Sequence, residues 1–121
     1  MNAARGVVNG AMWRDLAKDA AEVYGADTPE GNAVRHASFA AIIAYNIGDA
    51  HALVLLEGHE NFVRNSELDT AVDRFNNEVG IQLGVRASNE GWSEDEVLEA
   101  VIDLLNDGFL GCDSAGEVGR C

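Results

Sequence analysis

The sequence predicts an all-α fold, a single bundle-like domain of about five helices. Three observations predict it. Apolar residues recur at intervals of three and four, and period-2 alternation is absent. Helix start and stop signals follow one another in order along the chain. The chain has 121 residues, 47% hydrophobic and 24% charged with one Pro, which fits one globular domain and is too short for two.

The first helix is expected over residues 4–24, with Met12, Leu16, Ala20 and Val23 on one face and Gly25 as its stop. The second has a clear start. Thr28 is its N-cap, Pro29 suits the first helical position, and Glu30 complements the dipole. It runs to Ile47, and Gly48 follows as the C′ residue. Asp49 caps the third helix, expected to reach Val63. Ser66-Glu67-Leu68-Asp69 resembles a capping box and opens a fourth helix over residues 67–83, with Gly84 as its stop. A polar connection, residues 85–92, carries Gly91. Ser93-Glu94-Asp95-Glu96 is a full capping box, and the fifth helix runs from it to Asn106. Residues 1–110 thus form the helical domain. Residues 111–121, with three Gly and few large side chains, read as a flexible tail without strands. Cys112 and Cys121 both lie in that tail, either as a disulfide in an oxidising compartment or as two free thiols.

Charge excludes several functions. Eight Lys and Arg against 21 Asp and Glu give a net charge of −13. Such a surface repels phosphate backbones and anionic headgroups, so sequence-independent nucleic-acid binding through a basic face is excluded. No apolar run approaches the roughly 20 residues of a membrane-spanning helix. The start, Met1-Asn2-Ala3-Ala4-Arg5-Gly6, lacks the basic and apolar regions of a secretory signal. A soluble domain is expected, cytoplasmic in its producer or exported by another route or within a longer protein.

The informative residues are polar ones on apolar faces. On the second helix His36, Ala40, Ile43 and Ile47 share a face, with Asn32 one turn earlier and Arg35 near the rim. The third helix carries Ala52, Leu55, Leu56, His59, Phe62 and Val63 on one stripe, with Glu60 at its edge. On the fourth, Val72, Phe75, Asn76, Val79 and Leu83 form the expected core face, flanked by Asp69, Asp73 and Asn77 at four-residue spacing. Burying such groups without partners costs roughly 1–3 kcal/mol each. Three consecutive helices presenting them inward implies that they meet. Gly58 and Gly80, each costing about 1 kcal/mol of helix propensity, mark sites of close approach.

This cluster has usable chemistry. His36 or His59 held by Asp73 or Glu60 is a general base working near neutral pH. Asn32, Arg35, Asn76 and Asn77 would bind the substrate, an amide also serving a developing oxyanion. Two His plus carboxylates also suit a zinc-like ion, although no cofactor is required and the spacing opposes the common helical version. His59-Glu60 begins like HExxH, but Val63 stands where the second His belongs. The competing structural reading is a set of hydrogen-bonded core residues.

Together Asn32-Ala33-Val34-Arg35-His36-Ala37, His59-Glu60 and Asp73-Arg74-Phe75-Asn76-Asn77-Glu78-Val79-Gly80 resemble an uncharacterised bacterial helical domain family, over residues 28–110. Its pattern reads NAxRHA, then AHE, then MDxxNNxxG. Members often end exported proteins, including Rhs-type and wall-associated polymorphic toxins. The resemblance implies a toxin-like effector and marks Arg35, His36, His59, Glu60, Asp73, Asn76, Asn77 and Gly80. The sequence departs from the pattern at Gly58, where Ala is usual, and at Phe75, where many members place His. The functional expectation is therefore an effector-type hydrolase, acting on envelope material or another small substrate. The alternative is a non-enzymatic acidic module, inhibitor- or immunity-like, that engages a basic protein partner.

Overall fold

In the computed structural model five helices and a C-terminal hairpin follow one another among the described residues: α1 (residues 15–22), α2 (Pro29–Ile47), α3 (Asp49–Phe62), α4 (Glu67–Glu90), α5 (Glu94–Asn106), β1 (Gly111–Ser114) and β2 (Glu117–Arg120). The structure describes residues 15–25, 28–62, 67–114 and 116–121, with the side chains of 58–62 and 114 left aside. Met12, the start of the first helix, Gly58, Val63 and the Ser66 cap lie outside the described residues or side chains.

Helix α2 is the centre of the molecule. Twelve of its 19 residues are buried, and they lie all round the helix rather than on one stripe. Its start is stapled as expected. Thr28 Oγ1 accepts from Gly31 N at 3.0 Å and turns its own hydroxyl toward the carbonyls of Tyr24 and Gly25. A Cβ on Gly31 would lie 1.9 Å from Gly25 O, so the α1–α2 turn and the first turn of α2 touch through backbone. The stop is Gly48, at φ 87°.

Helix α4 lies along α2. Asn32 and His36 of α2 meet Asp73, and His36 also meets Asn77. Further along, Gly80 lies against Ala37 and Ala40, and Gly84 against Ala41 and Tyr45. The partners advance together, so the two helices run parallel. A parallel pair needs a return element. Helix α3, 14 residues and about 21 Å at 1.5 Å per residue, carries the chain back. The close approach depends on small side chains. A Cβ at Gly80 would stand 2.3 Å from Ala37 O, and one at Gly84 2.2 Å from Ala41 O.

This packing corrects one expectation. Gly84 does not stop α4, which continues to Glu90 through the segment expected as a polar connection. The glycine serves contact with α2, and Gly91, at φ 74°, follows the true end. Helix α5 forms as its capping box predicts. Ser93 and Glu96 exchange side chain-to-backbone hydrogen bonds, and Val97, Val101 and Leu105 are buried at four-residue intervals against the core.

The segment expected as a strandless tail is an antiparallel hairpin. Its register pairs Gly111 with Arg120, Cys112 with Gly119, Asp113 with Val118 and Ser114 with Glu117. Cys112 and Cys121 form a disulfide across its open end, and Cys121 N donates to Leu110 O at 3.2 Å. Four-residue strands are too short to show a period, and the turn rests on Gly116 at φ 86°. Leu110 and Cys112 belong to the core, so the hairpin is packed onto the helices. Phe75 and Leu55, expected on core faces, are each 45% exposed, and Phe75 instead lies over Gly111 of β1. No described helix is long and apolar enough to cross a membrane.

Candidate functional site

The equal spacing of two residue pairs builds the site. Asn32 and His36 are four apart on α2, and Asp73 and Asn77 are four apart on α4. On parallel helices in close contact, such pairs face each other. Asn32 Nδ2 donates to Asp73 Oδ1 at 3.0 Å. Nε2 of His36 lies 3.3 Å from the same oxygen, and Nδ1 lies 3.3 Å from Asn77 Oδ1. Arg35 extends the chain outward, donating to Asn32 Oδ1 at 2.9 Å. The side chains of His36 and Asp73 are 12% and 6% exposed, so the network is largely withdrawn from water. Buried polar groups of this kind hold their geometry because each satisfies the next.

The imidazole is held at both nitrogens. With Asp73 at Nε2 and the oxygen of Asn77 at Nδ1, the ring faces two acceptors, which is the bonding of an imidazolium. A half-turn of the Asn77 amide would present its NH2 group to an unprotonated Nδ1 instead. Asp73 thus fixes the ring through one nitrogen and Asn77 through the other.

A cleft of about 460 Å³ between α3 and α4 reaches Asn77. Leu53, Leu56 and Ile81 give it apolar walls, and Asp49 and Glu78 stand among its carboxylates. Glu57 also lines it, paired with Arg74 at 3.1 Å. Asn77 is 5% exposed, and its side chain is the one that joins this cleft to His36. Sequence reasoning passed over Asp49, except as a cap, and Glu78, because exposed carboxylates on acidic helices carry no signal of their own.

Of the expected site residues, the structure brings together Asn32, Arg35, His36, Asp73 and Asn77. Asn76 is turned elsewhere. It is fully buried, donates to Gly111 O at 2.9 Å and accepts from Gly111 N at 2.7 Å. Its amide locks β1 to α4, so neither end is offered to a substrate. The backbone of His59 and Glu60 lies in α3, while their side chains are outside those described. Phe75 packs on the hairpin at Gly111 and is no member of the Asn32–Asp73–His36–Asn77 network. No three described His, Cys, Asp or Glu side chains gather as a metal site.

A family model described as a domain of unknown function, DUF6973, matches residues 13–108. The chain belongs to this family. Comparison with curated proteins and with solved structures yields no match. The DUF6973 region contains α1 to α5 and with them every residue of the His36 network, while the hairpin lies beyond it.

Proposed function

We propose that this DUF6973 domain is a toxin- or effector-type bacterial hydrolase whose working base is His36. The observation that carries the reading is the histidine fixed between Asp73 and Asn77, with Asn77 lining a cleft. In the proposed reaction His36 Nδ1 takes a proton from water as the water oxygen attacks a carbonyl carbon. The proton then passes to the leaving group as its bond to that carbon breaks. Asp73 holds Nε2 and stabilises the imidazolium formed in between. The Asn77 amide turns to bind the substrate carbonyl. Asn32 and Arg35 keep Asp73 in place. The Cys112–Cys121 disulfide supports work outside a reducing cytosol, where envelope material is the accessible substrate.

The test is expression of the wild type, His36→Ala and Asp73→Asn in bacteria, in the cytoplasm and directed to the periplasm, with growth, lysis and helicity followed. Growth arrest by the periplasmic wild type, lost in both variants with helicity retained, is the expected result. Equal effects of wild type and His36→Ala would overturn the reading. A second reading, a non-enzymatic module engaging a basic protein, draws on the net charge of −13. It requires salt-sensitive binding to that protein and indifference to His36→Ala.

A further inference from the structure

The C-terminal hairpin ties a reducible bond to the helix turn that carries the site. Asn76 stands on α4 between Asp73 and Asn77, and it holds both backbone groups of Gly111 in β1, at 2.9 and 2.7 Å. Strand β1 packs on α2 as well as on α4, so it bridges the same two helices that His36 and Asp73 join. The hairpin has little strength of its own. Its strands are four residues each, and a two-stranded hairpin of that size is marginal in water. Glu117, Val118 and Arg120 of β2 are exposed. Strand β2 is held by its pairing with β1, by Val118 over Gly111 and by the Cys112–Cys121 bond. Cys112 is buried in the core, whereas Cys121 is only half-buried and offers its sulfur to an attacking thiol.

We infer that the Cys112–Cys121 hairpin is a redox latch on the His36 network. One thiolate of a dithiol reductant attacks Cys121 Sγ, the S–S bond breaks, and Cys112 leaves as a thiolate. The second thiol of the reductant then attacks the mixed disulfide and frees Cys121. The reductant supplies both electrons and ends as a cyclic disulfide, and its two thiol protons pass to the two cysteines. Strand β2 separates, Gly111 leaves Asn76, and the turn of α4 that carries Asp73 and Asn77 loosens against His36. Oxidation reverses each step and completes the network. The consequence for activity, off in a reducing cytosol and on outside it, rests on the hydrolase reading. The latch itself does not.

The experiment compares the intact 15N-labelled protein by NMR before and after dithiothreitol, with alkylation showing that both thiols are free. Amide exchange at Gly111 should quicken by about tenfold or more. The ring signals of His36 should shift while those of exposed His51 stay in place. Helicity should persist, and oxidised glutathione should restore the first spectrum. Cys112→Ser with Cys121→Ser should show the reduced pattern whether or not dithiothreitol is present. Unmoved His36 signals after Gly111 has opened would overturn the inference, as would a Gly111 amide still protected once both thiols are free. Loss of helicity on reduction would make the bond a staple of the whole fold and overturn it as well. Growth arrest is read separately. A working latch in a protein that arrests no growth keeps the inference and removes the hydrolase reading. Arrest that needs His36 but is equal in the double serine variant does the reverse.

Discussion

The two halves of the α2–α4 contact are built on opposite principles. Toward the C-terminal ends, Gly80 and Gly84 sit directly on the backbone of α2 among Ala37, Ala40 and Ala41. Toward the N-terminal ends, the same two helices meet through Asn32, His36, Asp73 and Asn77. The first half fixes the distance between the helices. The second half uses that distance, because hydrogen bonds of 3.0 to 3.3 Å across a helix pair require the axes to be set within a few tenths of an ångström. The glycines are thus part of the machinery of the site without touching it.

The largest effect should come from filling the close half. Gly84→Ala places a methyl 2.2 Å from a backbone oxygen that cannot move without moving α2. A loss above about 3 kcal/mol is expected, far outweighing the roughly 1 kcal/mol gained in helix propensity, and urea unfolding measures it. Loss of stability by less than 1 kcal/mol would mean that the two helices separate easily. Next is Asn76→Ala, which leaves both the N–H and the carbonyl of Gly111 buried without partners. A cost of about 2–4 kcal/mol is expected, together with faster amide exchange in the hairpin. Opening the disulfide by Cys112→Ser with Cys121→Ser should cost about 2–3 kcal/mol for a loop this short, seen as a lower melting temperature.

Within the polar half the effects should be smaller, and they sharpen the contrast. Asp73→Asn keeps an acceptor for Asn32 but gives up the carboxylate beside His36. Stability should fall by about 1–2 kcal/mol while helicity persists, and Asp73→Ala should cost more. The smallest change runs the other way. Ser38 is fully buried on α2, and its hydroxyl has no partner among the described residues. Ser38→Ala should raise stability by about 1 kcal/mol, as read by the same urea unfolding.

The helical part of this architecture was legible because its signals are local. Thr28, Pro29 and Gly48 delimit α2, and the Ser93 box opens α5, just where pattern and caps agree. The polar cluster was legible in outline. Spacing placed Asn32, His36, Asp73 and Asn77 on inward faces, but spacing does not tell one inward amide from the next. Asn76 differs from Asn77 by one residue, about 100° around the helix, and this rotation sends it to the hairpin instead of to His36. Gly84 was misread for a related reason. A glycine that ends a helix and one that lets another helix approach look alike in sequence, and only the partner decides. The hairpin was missed because its evidence is a pairing between residues that share no short-range period.

The parallel course of α2 and α4 also governs the order in which the molecule can assemble. Neighbouring helices that run antiparallel meet as soon as a short turn is made. Here His36 reaches Asn77 across 41 positions, Asn76 reaches Gly111 across 35, and Tyr45 reaches Trp92 across 47. Such distant pairings slow folding relative to helical bundles dominated by local contacts. During synthesis the alanine-rich surface of α2 stays uncovered until α4 has emerged in full, so this small domain stays exposed to proteases and chaperones for longer than its helix content alone suggests.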